Sequence, residues 1–170
     1  MNLLHRWICR SSYWRHTVES QLLPWSLDRL DLGSDVLEIG PGFGFATDII
    51  RRRVRRLTCL EIDSSLAAKV SQSMRDKNVT VIHADATRMP LAAERFSAVL
   101  CFTMLHHIPS VALQDSLLSE AARVLRAGGL FAGTDSLSGP LLKTIHLGDT
   151  LNAVDPNTLL CGWRLRASLM

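Results

Sequence analysis

Three glycines at alternate positions, Gly40, Gly42 and Gly44, follow a short apolar run carrying one acid, Glu38, in the stretch "VLEIGPGFGFATDII". Glycine lets a backbone turn sharply and approach a ligand closely. An acid at an apolar strand end is costly without a partner, so Glu38 reads as functional. A dinucleotide loop would place its third glycine at position 45, which is Phe45, and a phosphate loop would end in Gly-Lys-Ser/Thr. Neither pattern is present. Further polar residues recur in "LEIDSS" (Glu61, Asp63), "HADATRMP" (Asp85), "FTMLHHIP" (His106, His107) and "FAGTDS" (Asp135). Histidine titrates near neutrality and suits proton transfer, so His106, His107 and Asp135 are candidate catalytic groups. Local packing ahead of Pro109 is the plainer account of the two histidines.

The segments between these residues set their positions. Short apolar runs alternate with helical patterns, the signature of βαβ units and a parallel sheet. Strands are read at "DVLEIG", "RLTCLEI", "NVTVIHA", "FSAVLCF" and "LFAGTDS". Helices are read at "FATDIIRRRV", at "SSLAAKVSQSMRD" with Ser64 or Asp63 as cap, and at "SVALQDSLLSEAARVL", which "RAGG" stops. "SYWRHTVESQLLPWSLDRL" reads as one or two helices interrupted near Pro24. In an open parallel sheet with right-handed crossovers, ligands bind beyond the carboxyl ends of the strands. All the polar segments named above lie there, and together they define a pocket.

At 170 residues and 47% apolar content, the chain is expected to form one folded domain. The net charge of +3 is mild, and "RRRVRR" reads as the solvated, cation-favoured end of a helix rather than a nucleic-acid patch. Cys9, Cys59, Cys101 and Cys161 show no metal-ligand spacing, so no metal is expected; Cys59 and Cys101 read as core residues in a reducing compartment. No apolar run reaches membrane-spanning length, and the basic start lacks a secretion signal. A cytoplasmic protein is expected. Trp7, Tyr13, Trp14 and Trp25 read as a cover over the pocket in preference to a membrane-surface patch.

The spacing E-x-G-x-G-x-G resembles the first motif of the class I S-adenosylmethionine-dependent methyltransferases, and the later segments follow in order over about residues 30 to 150. The resemblance implies a Rossmann-like, doubly wound α/β fold, a mostly parallel sheet with helices on both faces. It implies S-adenosyl-L-methionine as cofactor and a small-molecule acceptor, as in the type 11 branch. Glu61 would accept both ribose hydroxyls. Ile62 would pack on the adenine face, Asp85 would meet the adenine amine, Ala86 would add a backbone contact, and Phe102 would also belong to the cofactor-binding set. Glu38 would face the cationic amino-acid end, with Gly40, Gly42 and Gly44 around it. Orientation alone contributes about 7–11 kcal/mol to such a displacement. Residues 1–32 are expected to be a helical lid, 33–150 the cofactor-binding core and 151–170 an atypical tail.

Two branches of the family are distinguishable. Ribosomal RNA adenine dimethyltransferases share the glycine loop but carry an N-(L/P)-P-(Y/F) motif after the fourth strand, which grips a flipped base. Here "FTML" stands there, so no nucleic-acid partner is expected. The family also continues through a helix and a "GF" turn into an antiparallel hairpin, whereas this chain departs at "LCGWRLRASLM". Suitable codons for that string, read one base out of frame, encode "RLEAAGFTD", so a frameshift near Leu160 and a missing final hairpin are expected. A fifth strand left as an apolar edge would favour self-association, and the alternative to an enzyme is an inactive relic that at most binds the cofactor.

Overall fold

The computed structural model describes residues 2–135, 144–147 and 151–152. Five strands form one all-parallel sheet: β1 (Asp35–Ile39), β2 (Arg56–Glu61), β3 (Val79–His83), β4 (Phe96–Phe102) and β5 (Leu125–Thr134), in the order β3-β2-β1-β4-β5. The sheet grows from β1 in both directions, so the strand order reverses between β1 and β4. Helices α4 (Phe45–Ile50), α5 (Ser64–Ser73) and α6 (Val111–Val124) make the crossovers, and the fold is the doubly wound one the sequence implies.

Period-two alternation in the central strands divides the core between the two faces. Leu37, Ile39, Val99 and Cys101 face the cluster holding Leu117, Ala121 and Val124 of α6. Val36, Ala98 and Leu100 face the other, which holds Ile50 of α4 and Leu22, Leu23, Leu27 and Leu32 from upstream. A strand covered on both sides needs apolar residues at every position; all seven residues of β4 are buried.

Several local readings change. Within the segment expected to be helical, but ahead of the helices placed by residue, lies α1 (Leu3–Arg10), capped by the Asn2 side chain, which accepts from the His5 N–H at 2.8 Å. α2 (Ser12–Thr17) is capped by Ser11 and runs into a π-helical turn (Val18–Leu22) and α3 (Leu23–Leu27). Pro24 does not interrupt this run. It sits in the first turn of α3, and the widened turn before it, with the Leu23 N–H donating to Val18 O, makes room for the ring. The aromatic residues do not cluster, because Ser11 breaks the helix between them: Trp14 lines a cavity, while Trp7 and Tyr13 point outward at 71% and 76% exposure. Asp63, not Ser64, caps α5, accepting from Ser65 and Leu66 N–H at 2.8 and 3.1 Å. α6 ends at Val124 and "RAGG" forms a bulge within β5: Leu125 pairs with Phe96, and pairing resumes with Leu130 opposite Ala98.

The arginine run is stapled rather than loose. Arg51 and Arg52 both reach Asp48, at 2.7 and 2.6 Å, and Arg56 reaches Asp35 at 3.0 Å. Arg53 donates to the carbonyls of Leu27 and Leu30, tying α3 to the end of α4. Among the described residues β5 is an edge of the sheet and no helix is long and apolar enough to cross a membrane. The expected frameshifted tail and missing hairpin fall on residues 153–170, outside the described residues.

Ser97 fixes where β1 starts. Its buried hydroxyl lies 2.7 Å from Leu32 O and 2.8 Å from Asp35 O and accepts from the Asp35 N–H at 3.2 Å. Ser97→Ala strands these buried groups, and urea unfolding should show a loss of about 1–3 kcal/mol with an unchanged m-value.

Candidate active site

Where the strand order reverses, the carboxyl ends of β1 and β4 part over a cavity of about 590 Å³, within the roughly 300–1,000 Å³ range of small-molecule sites. Glu38, Gly40, Gly42, Glu61, Ile62, Asp85, Ala86 and Phe102 line it. His106 and His107 line it too. Gly44 and Asp135 stand just behind the wall: Gly44, at φ +81°, caps α4 against Val70 and Met74, and Asp135 contacts His106. α1, α2 and the π-helical turn supply a second wall through Ile8, Cys9, Trp14, Val18 and Leu22, and the Arg15 guanidinium lies 5.4 Å from the Phe45 ring centre, fastening that wall to α4. Leu27 of α3 belongs instead to the core against the sheet.

The loop after β1 depends on its first two glycines. At Gly40 (φ +70°) the place of a side chain is taken by Met104, whose Cγ would lie 2.5 Å from a Cβ. At Gly42 (φ +55°) a Cβ would meet nothing within 4 Å, so its left-handed backbone, not crowding, requires glycine there. The Gly42 N–H donates to Glu61 Oε2 at 3.2 Å, and the Asp63 N–H donates to Oε1 at 3.0 Å. Glu61 is thus buried at the end of β2, gripping the loop across the cavity.

Glu38 lies deeper, 2% exposed; Thr47 Oγ1 donates to its Oε2 at 2.7 Å and Cys59 Sγ at 3.4 Å. Burial pushes its carboxyl up to about 7, the Thr47 and Cys59 hydrogen bonds pull it back, and nearby Glu61 adds to the rise. The same burial, with Glu38 alongside, raises the Cys59 thiol well above its ordinary value. Asp85 sits in a tight turn where its Oδ1 accepts from Thr87 N–H and Oγ1, at 2.8 and 2.9 Å. Four acids line the cavity and, among the described residues, no lysine or arginine does. Its field therefore favours a cation, although the chain carries net positive charge.

Histidines gather at the opposite end. The Asp135 carboxylate takes both the backbone N–H and Nδ1 of His106, whose Nε2 is buried with no hydrogen-bond partner among the described residues. His5, from α1, lies 4.9 Å from His107 and 4.3 Å from His146, ring centre to ring centre, and His107 and His146 are 5.1 Å apart. One donor nitrogen of each falls within 4.8 Å of the others. Three residues so far apart in the chain leave no spacing pattern to read, and the sequence expectation of no metal site rested on cysteine spacing alone. Thr47 and Met104 were likewise missed, whereas Trp14, read as part of a cover, does line the cavity.

Comparison with known proteins agrees with this geometry. A family model described as "Methyltransferase domain" matches residues 37–133. A "Probable S-adenosylmethionine-dependent methyltransferase" of Mycolicibacterium smegmatis is 32% identical over 126 residues, 73% of this chain and 46% of that protein. The "Ubiquinone/menaquinone biosynthesis C-methyltransferase UbiE" of Allorhizobium ampelinum is 33% identical over 123 residues, 68% of this chain and 45% of that one. The "Ribosomal RNA small subunit methyltransferase A" of Proteus mirabilis is 37% identical over 94 residues, 52% and 34% of the two chains. The chain spans about half the length, or less, of these relatives.

The burial of Glu38 has a measurable signature. Its folded value of about 7 lies above the ordinary 4.5, so folding is unopposed by this group below pH 4.5 and loses stability as pH rises through 7. The loss is on the order of 3 kcal/mol. Glu38→Gln keeps an acceptor for Thr47 and removes the ionisation. Urea midpoints should therefore show the variant gaining on the natural chain between pH 5 and pH 8.

Proposed function

The chain belongs to the S-adenosylmethionine-dependent methyltransferase family, and from that membership we propose that it binds S-adenosyl-L-methionine in this cavity and methylates a small-molecule acceptor. The observation that carries the reading is Glu61, held at the end of β2 with its carboxylate against the Gly42 N–H at the reversal of strand order. When bound, the cofactor supplies a methyl group on a positively charged sulfur that is already an excellent leaving group.

The residues present fit that group. A carboxylate has about four acceptor sites, and Glu61 uses two on backbone N–H groups, so acceptance from a pair of ribose hydroxyls is within its capacity. Ile62, 66% exposed on the cavity wall, offers a flat apolar contact for adenine, and Asp85 with Ala86 closes that end. Glu38 and the loop glycines face the cationic amino-acid end. α1, α2 and the π-helical turn act as the lid, excluding water from the acceptor end, where His106, held by Asp135, and His107 form the wall.

A small acceptor is favoured over RNA by the "FTML" segment after β4 and by the second wall over the cavity. The relatives by themselves divide between the two classes.

Calorimetric titration with S-adenosylmethionine and S-adenosylhomocysteine tests the reading. Saturable binding is expected, and Glu61→Ala should weaken it roughly 100-fold or more through the loss of two charge-assisted hydrogen bonds. Asp85→Ala should weaken it less. A folded chain that binds neither compound overturns the assignment. Transfer of labelled methyl to RNA, with none to small hydroxylated or aminated acceptors, overturns the acceptor class.

A further inference from the structure

We infer that His5, His107 and His146 form a binding site for one divalent transition-metal ion, of which zinc is the best fit. The inference does not rest on methyl transfer, since it needs only the convergence of three imidazoles. Imidazole binds zinc at about 2.0–2.1 Å, and three rings meeting tetrahedrally on one ion have centres roughly 5 Å apart. The three distances here are 4.9, 4.3 and 5.1 Å, with donor nitrogens within 4.8 Å of one another. Ligation would draw the nitrogens in toward a common centre.

The frame that holds the rings is already built. The Asn2 side chain accepts from the His5 N–H at 2.8 Å and donates to the carbonyls of Ile145 and Leu147 at 2.9 and 3.0 Å, so one amide pins the segments bearing His5 and His146 together. Gln114 donates to Leu105 O and Asn152 O at 3.1 and 3.0 Å, and the Asn152 N–H donates to His106 O at 2.8 Å, steadying the turn that carries His107. These contacts fix the backbone that carries the three rings rather than the rings themselves. His5 and His146 are 6% and 4% exposed, and the Asp135 carboxylate beside His106 supplies negative charge close by. Neutral imidazole is a borderline ligand suited to zinc, copper, nickel or iron rather than magnesium or calcium, whose sites are built of oxygen.

All three histidines line the cavity. Three protein ligands with one position open is the arrangement of catalytic rather than structural zinc sites. An ion held there would present that position to whatever occupies the acceptor end, and would polarise a bound oxygen or nitrogen donor.

The test uses Co²⁺ as a visible probe on the full chain stripped with a chelator. One equivalent should bind with the absorption of a tetrahedral ion and be displaced by Zn²⁺, and Zn²⁺ should raise the thermal midpoint, as a ligand of the folded state must. His5→Gln, His107→Gln and His146→Gln should each weaken binding more than about 100-fold, and Asn2→Ala, which loosens the backbone bearing His5 and His146 without touching an imidazole, should weaken it less. His16→Gln, on the exposed face of α2, should change nothing. Circular dichroism and urea unfolding of each metal-free variant separate lost ligation from lost folding. A folded natural chain without saturable Co²⁺ binding overturns the inference, as does binding that survives all three substitutions. Metal binding without cofactor binding would uphold this site and count against the methyl-transfer reading, and the converse would do the opposite.

Discussion

The working end of the molecule depends on one topological fact: β1 has a parallel neighbour on each side, and the chain winds away from it in opposite directions. Crossovers of one hand then send α6 to one face and α4 to the other, so neither crossover helix fills the gap above β1 and β4. The gap is where Gly40 must make way for Met104, where Glu38 is caught beneath the loop, and where Glu61 reaches across from β2.

Electrostatics follows from that placement. Glu38 is fully enclosed, and Glu61 nearby adds to the cost of charge on it. A lysine or arginine in the wall would relieve this, yet Arg51, Arg52, Arg53 and Arg56 of the run after α4 are directed elsewhere, to Asp48, Asp35 or backbone carbonyls. The site therefore keeps an unmet demand for positive charge, which a sulfonium and an ammonium group would satisfy. Folding stability is given up to hold a cavity ready for a particular charge, a pattern common at functional sites.

The sheet and most of its helices were legible because the signals are local. Apolar runs of strand length, bounded by turn residues, gave β4 to the residue, and the serine before α6 gave its start. The acids at strand ends were readable for the same reason, since topology carries each strand end to the same edge. Where the reading failed, the cause was tertiary. α1 is too polar on average to declare itself, Pro24 is accommodated by a π-helical turn that no propensity announces, and "RAGG" is spent on a bulge because Leu125 already pairs with Phe96. The histidine group was invisible, because its members come from three segments that meet only after folding.

Asn2 bonds to carbonyls as far as 145 positions along the chain, and this contact closes one end of the cavity. Contacts of such sequence separation are among the slowest to form, since the loop they close must be ordered first. On a ribosome, α1 is made before the strands but has to wait for the segment after β5 before this contact can form. The sheet, with its glycine loop and both acids, can assemble while the histidine end stays open. Closure of the histidine end is therefore the step of assembly that waits on the longest loop.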